Sequence, residues 1–330
     1  MTAQSTYENT RIIDIAPLHS SDDTKRAQVD QAIAQAMEQH GSFVATGFPG
    51  AAGFGMQMQR LLSFFTMDED EKRVCAIKEY VSDHANLYRG FYPLPDKPHW
   101  SHNEIFDIGP EPPMTSPDVP GAESFREANV WPNREPVADW RREMHDVFVW
   151  QRDLSVVLMA SIARGLGLEE EAVAGPARGR NGTYRILHYA PAPEGFELGG
   201  YPGREPETIE DGRKLLARTH VDTGILSLLW QDASGGLQMQ GPDEVWREVE
   251  PLQDGLSVHG ADLIKGLTEG ILQGTTHRAV GDMGDRCSAG FFLEPDFETP
   301  VIAPTGGAPV SYARHLVNEF PDRFEAKNAA

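Results

Sequence analysis

His220 and Asp222 stand two positions apart in RTHVDTGILSLLWQD (218–232), at the start of an apolar run. On an extended strand that spacing sends both side chains to one face and Val221 to the other, so the pair is arranged to chelate a metal ion. An isolated His-x-Asp is more often structural. Further along, His277 closes another strand-like run, LQGTTHRAV, and supplies a second imidazole.

Two imidazoles and one carboxylate on a sheet form a facial set that leaves three adjacent positions open on a six-coordinate ion. That is the ligand pattern of non-haem Fe(II) oxygenases, with the open positions available to substrate and oxygen. Just beyond, DRCSAGFF sets Arg286 and Ser288 two apart, again on one strand face. A guanidinium fork and a hydroxyl in that register suit a carboxylate, held bidentately by the one and by a further hydrogen bond from the other. The two motifs together predict a metal centre with a carboxylate anchor beside it.

The elements that must position these groups are legible as changes in periodicity. IIDIAPL (12–18) reads as a short strand, residues 22–40 as an amphipathic helix stopped at Gly41, GSFVATGF (41–48) as an apolar strand and 53–66 as a second helix. Residues 136–168 keep helical periodicity throughout, with Gly165 and Gly167 as the stop, and predict a long scaffold helix. From Thr183 onward the texture becomes short β-rich runs, among them TYRILHYA, GLQMQ, VWREVE and LSVHG, broken by Gly, Pro and Asp. Strands at that spacing predict an antiparallel sandwich or barrel.

Composition narrows the setting. The 330 residues carry 50 acidic against 29 basic side chains, a net charge of −21 spread along the chain, which argues against nucleic acid or an anionic membrane as partner. No apolar run nears the ~20 residues of a membrane span, the N-terminus lacks a signal-peptide pattern, and the two cysteines, Cys75 and Cys287, are too few for a disulfide framework. A reducing, cytoplasmic setting and a small-molecule substrate are expected.

The run from RTHVDTGILSLLWQD through VHGADLIKGLTEGILQGTTHRAV to RCSAGFFLEP resembles the core of the isopenicillin N synthase-like 2-oxoglutarate- and Fe(II)-dependent dioxygenases. Weaker likeness extends to HGSFVATGFPG, YRGFYPLP, HNEIFDIG and NVWP in the N-terminal half. The resemblance implies a mixed α/β (α+β) chain: a distorted double-stranded β-helix, or jelly roll, braced by the long helix and preceded by an N-terminal α/β region. On that reading residues 1–135 form the N-terminal region, 136–182 the scaffold helix and connection, 183–300 the catalytic core and 301–330 a C-terminal extension. It implies His220, Asp222 and His277 as iron ligands, and Arg286 and Ser288 as the grip on the distal carboxylate of 2-oxoglutarate. The resemblance also implies Tyr189 as a further cosubstrate contact, although RILHYAP lacks the asparagine that plant members carry there.

The activity implied is decarboxylation of 2-oxoglutarate to succinate and CO2, coupled through O2 to hydroxylation, desaturation or cyclisation of a small organic substrate. Two alternatives stay open: an Fe(II) oxidase of the isopenicillin N synthase type, which uses the same anchor without 2-oxoglutarate, and a non-catalytic metabolite-binding jelly roll. His188 and His259 read as packed or supporting histidines, Asp262 as structural, Cys287 as a buried thiol facing away from the iron, and Trp230, Phe291 and Phe292 as core. Arg89, Phe91, His102 and Glu104 are expected near the mouth of the site. The Pro/Gly/acidic insertion 190–217 reads either as an active-site lid or as a surface loop.

Overall fold

The computed structural model describes residues 10–95, 101–115, 119–191, 198, 209, 212–281 and 284–320. The chain opens with β1 (Ile12–Asp14), α1 (Asp23–His40), β2 (Ser42–Thr46), α2 (Phe54–Leu62), α3 (Glu69–Arg73), β3 (Gly90–Tyr92) and β4 (Glu104–Ile108). The long helix α4 (Trp140–Leu166) and short α5 (Glu170–Ala174) follow. Then come β5 (Gly182–Tyr189), β6 (Lys214–His220), β7 (Leu226–Gln231), β8 (Leu237–Gln240), β9 (Trp246–Glu248) and β10 (Leu256–Gly260). The last elements are α6 (Ile264–Leu267), β11 (Thr276–Gly281), β12 (Arg286–Leu293), β13 (Pro300–Val301), β14 (Val310–Ser311) and α7 (Tyr312–Glu319).

Eight strands form one sheet in the order β1-β2-β10-β7-β12-β5-β4-β3, and β6-β11-β8-β9 form a second. Only the β1–β2 pair of the large sheet is parallel. The two sheets make the jelly-roll core, and strands from both halves of the chain share the larger one. Its two faces differ. Tyr184, Ile186, Leu228, Trp230, Val258 and Phe291 join α1, α2 and α4 in the main apolar core, whereas the alternate residues point toward the smaller sheet. Between the sheets lie smaller clusters, one of Val44, Leu237, Met239 and Val249 and another of Tyr189, Leu216, Ala217 and Ala279.

Local signals account for most boundaries. Asp22 caps α1 by accepting from the Thr24 and Lys25 amides, and Gly41 ends it in the left-handed region at φ 72°. α4 starts at Trp140, four residues later than periodicity suggests, and Gly167 stops it in the left-handed region. The strand expected over 12–18 is only three residues long, because Pro17 lies inside a tight helical turn, Ala16–His19. No helix among the described residues is long and apolar enough to cross a membrane.

Candidate metal centre and carboxylate anchor

β6 ends at His220, so Asp222 lies just past the strand and not on it as the spacing suggests. What brings the pair together is the turn of the chain into β7. His277 sits near the start of β11, not at the end of a strand, and pairs directly with His220 across the small sheet; a register irregularity follows immediately. Asp222 Oδ1 is 3.6 Å from His220 Nε2 and 3.6 Å from His277 Nε2. The three donor atoms all lie within 4.8 Å of one another, a set that an ion with bonds of about 2.1 Å can gather.

Each donor is oriented by its other polar atom. His220 Nδ1 contacts the Arg218 carbonyl at 2.7 Å and His277 Nδ1 the Thr275 carbonyl at 3.1 Å, which puts the proton on Nδ1 and turns the Nε2 lone pair inward. Asp222 Oδ2 accepts from the Ser227 hydroxyl at 2.6 Å and from His259 Nε2 at 3.1 Å, so Oδ1 is the oxygen that faces the imidazoles. Burial opposes charge on Asp222, but the imidazoles and their hydrogen bonds outweigh it and hold the carboxyl well below its ordinary range. Burial pushes His277 down to about 3, so that imidazole is neutral, the form that binds metal. The donors are therefore an ionised carboxylate and ring nitrogens aimed at one point, and an iron(II) ion fits them.

The loop carrying Asp222 is itself braced. Asp262 donates its amide to the Asp222 carbonyl at 2.9 Å and accepts from the Gly224 amide at 2.8 Å, while His315 of α7 holds its other oxygen at 2.9 Å. Asp262 is structural, as its sequence setting suggests.

Arg286 opens β12 and pairs with Tyr189 of β5, over whose ring its guanidinium lies at 4.7 Å. Nε donates to the Gly235 carbonyl at 2.7 Å, Nη2 to Gln231 at 3.3 Å and Nη1 to Ser288 Oγ at 3.4 Å. Gly235 and Gly236 both take left-handed backbone, φ 69° and 84°; a Cβ at Gly236 would fall 2.0 Å from the Val280 carbonyl. Arg286 is 4% exposed and has no carboxylate partner among the described residues. A buried cation bonded only to neutral groups calls for an anion.

Other sequence expectations divide. Trp230 and Phe291 are in the main core, but Phe292 points the other way, toward the small sheet, with Arg185 above its ring at 5.6 Å. Cys287 packs against the main core, away from Arg286 and Ser288, and is partly rather than fully buried; burial still raises its thiol to about 12. His259 supports Asp222. His188 lies on the helix side of β5, bonded to Glu104 at 2.8 Å, and Glu104 in turn takes Lys72 at 2.6 Å. Of the residues expected at the mouth, Phe91 is in the core and Glu104 is turned to that helix side, both because strand alternation sends them there. Arg89 is buried at the metal end, bonded to Thr183 at 2.8 Å, and His102 is buried with its amide on Leu216 of β6. Of the insertion 190–217, residues 214–217 belong to β6, while 192–197, 199–208 and 210–211, where a lid would be, lie outside the described residues.

Sequence reading missed Ser227, Gln231 and the Arg185–Asp107 pair. The first two were marked by polarity at alternate positions inside the apolar run GILSLLWQ: Ser227, Leu229 and Gln231 share the inward face of β7. One strand thus braces Asp222 at one end and Arg286 at the other, about 13 Å apart at strand rise.

The chain is similar to known proteins along most of its length. Residues 182–295 match the 2OG-Fe(II) oxygenase superfamily, and residues 11–134 match the family described as non-haem dioxygenase in morphine synthesis N-terminal. Isopenicillin N synthase of Penicillium rubens is 24% identical over 96% of this chain and 96% of its own. The 2-oxoglutarate-dependent dioxygenase citB of Monascus ruber is 27% identical over 71% of this chain and 68% of its own. Among solved structures, a Neurospora crassa protein in complex with alpha-KG and thymine superposes with a TM-score of 0.73 at 20% identity, covering 95% of this chain and 96% of that one. JOX2 in complex with 2OG, Fe and JA gives 0.67 at 18% identity, over 94% and 84% of the two chains.

Proposed function

Because this chain belongs to the isopenicillin N synthase-like 2-oxoglutarate- and Fe(II)-dependent dioxygenase family, we propose that it hydroxylates a small organic substrate while 2-oxoglutarate is decarboxylated to succinate and CO2. The family is one of oxidoreductases that use Fe(II), 2-oxoglutarate and O2. Bound iron would supply the activation of oxygen at positions that the protein leaves open. His220, Asp222 and His277 would hold it through Nε2, Oδ1 and Nε2. Arg286 and Ser288 would pair the distal carboxylate of 2-oxoglutarate, with the Tyr189 ring beside the guanidinium. Desaturation and cyclisation are variants of the same chemistry, chosen by how the substrate is held.

The observation that carries this reading is the buried Arg286 fork. Its lack of a carboxylate partner among the described residues would be met by a cosubstrate anion on the same face of the sheet as the triad. The resemblance to isopenicillin N synthases supports a second reading, in which the same fork grips a carboxylate of the substrate and 2-oxoglutarate is not consumed. Measuring succinate released per oxygen consumed separates them: near-equal amounts are expected, and substrate oxidation without added 2-oxoglutarate or succinate would give the function to the oxidase reading. Arg286→Lys keeps the charge and loses the fork, so the 2-oxoglutarate concentration for half-maximal rate should rise roughly tenfold or more, with a far smaller change for the substrate.

The thymine and JA of the solved complexes are small molecules, and this chain is proposed to act on a substrate of that size. The two cysteines, both unpaired, fit the cytoplasmic setting expected for such an enzyme.

A further inference from the structure

Arg185 of β5 lies on the inward face of the large sheet, in the same alternation as Thr183, Leu187 and Tyr189. Its pairing partner on β12 is Gly290, where a Cβ would fall 2.4 Å from Leu229 Cδ2 and 3.3 Å from the Phe292 ring, so these two side chains close in over the glycine, and the guanidinium lies over the ring of Phe292. Phe292 in turn pairs with Ser227, the residue that holds Asp222. Through Phe292 and Ser227 the fold thus links this side chain to Asp222.

Its hydrogen bonding is lopsided. Nε and Nη2 donate to the two oxygens of Asp107 at 2.8 and 2.7 Å, and Asp107 is wholly buried. The opposite edge, Nη1 with the second hydrogen of Nη2, meets no acceptor among the described residues, and the side chain is 20% exposed. A guanidinium locked by one edge presents the other as a preoriented two-donor fork. Asp107 already balances its charge, and Arg89 lies near Glu294 in the same region. In the loaded site the dication, Asp222, the 2-oxoglutarate dianion and Arg286 sum to zero. Since Asp107 already pairs this guanidinium, its open edge favours a neutral acceptor over a second anion.

We propose that Arg185 binds the prime substrate, donating from its open edge to a carbonyl oxygen of a neutral molecule held against Phe292 beside the triad. This rests on the Fe(II) and 2-oxoglutarate reading above and adds to it the class of substrate: a compact apolar or ring body bearing an amide, lactam or ketone oxygen.

The test uses three rings that differ only in their polar group: benzamide, benzoate and benzylamine. The enzyme is loaded anaerobically with Fe(II) and 2-oxoglutarate, and the visible charge-transfer absorption of the chelated oxo acid is recorded first. Binding of each probe is then read from paramagnetic broadening of its proton NMR lines. Wild type should bind benzamide better than benzylamine and no more weakly than benzoate. Arg185→Lys, which keeps Asp107 paired but removes the fork, should weaken benzamide roughly tenfold or more while retaining the absorption band. The double variant R185L/D107L removes the pair without leaving Asp107 buried and unpartnered, and should show the same loss.

Benzamide binding unchanged in both variants would overturn the proposal, as would benzylamine binding as well as benzamide, or no benzamide binding to a wild type that shows the band. A wild type without the band would instead overturn the Fe(II) and 2-oxoglutarate reading, and this proposal with it.

Discussion

Around Asp222, groups that are not among the proposed metal ligands fix how the candidate donors are turned. The carboxylate could turn either oxygen to the imidazoles; Ser227 and His259 bond Oδ2 and so leave Oδ1 as the donor. Ser227→Ala should therefore leave all three proposed ligands in place yet weaken metal binding by roughly 10–100-fold, read by titration with Mn(II) as a redox-silent probe. Replacing His220, Asp222 or His277 by Ala should go further and abolish both metal binding and oxygen-dependent turnover. The thermal melt of the metal-free protein should stay cooperative, because these side chains face the space between the sheets and not the main core. A ligand variant that kept full activity with metal bound would refute the assignment.

At the scale of elements, the helices that back the large sheet are held by contacts that allow little exchange. α4 crosses α1 where Gly165 meets the carbonyl of Asp30; a Cβ there would lie 2.2 Å from that oxygen. The same crossing buries the Asp30 carboxylate, which accepts from Ser161 at 2.7 Å and Arg164 at 2.7 Å. Gly165→Ala must push the helices apart and should cost about 1–3 kcal/mol in denaturant unfolding.

β4 and β5 are joined by a second clasp. Hydrogen bonding to Glu104, then to Asp285, raises His188 above its ordinary 6.5 against the opposing effect of burial. A raised folded value means that the contribution is complete below the unfolded value and is lost as pH climbs through the folded one. The melting-temperature gap between wild type and His188→Gln should accordingly be widest in mild acid and shrink toward alkaline pH. A gap that does not change with pH would mean that His188 contributes by packing alone.

For the molecule as a whole, the consequence of a site assembled from β6, the turn beyond it and β11 is that ligand binding reports on global stability. An ion and a dicarboxylate that bind only the folded chain should stabilise it by mass action, by about 2.7 kcal/mol for a ligand at a hundredfold excess over Kd, and so raise its melting temperature. Mn(II) with 2-oxoglutarate should stabilise wild type, a chelator should reverse the effect, and His220→Ala should not respond. Stabilisation of that variant equal to wild type would place the ion elsewhere.

The sequence by itself determined the chemistry on offer and most of the scaffold. Residue types at two-residue spacing made Arg286 and Ser288 neighbours on a strand face, and helical periodicity closed by glycine set α1 and α4 within a few residues. These are local properties, carried by side-chain alternation and capping, and need no knowledge of what lies opposite. The His220–Asp222 spacing suggests two residues on one strand, whereas the strand ends between them and the turn into β7 brings them together. Only the tertiary structure decided that His277 sits across from His220, that Ser227 and His259 hold one oxygen of Asp222 and leave the other facing the imidazoles, and that Phe292 and Arg185 face inward while Glu104 faces the helices. Each of those depends on strand register between segments far apart in the chain, and a shift of one residue would have reversed every face.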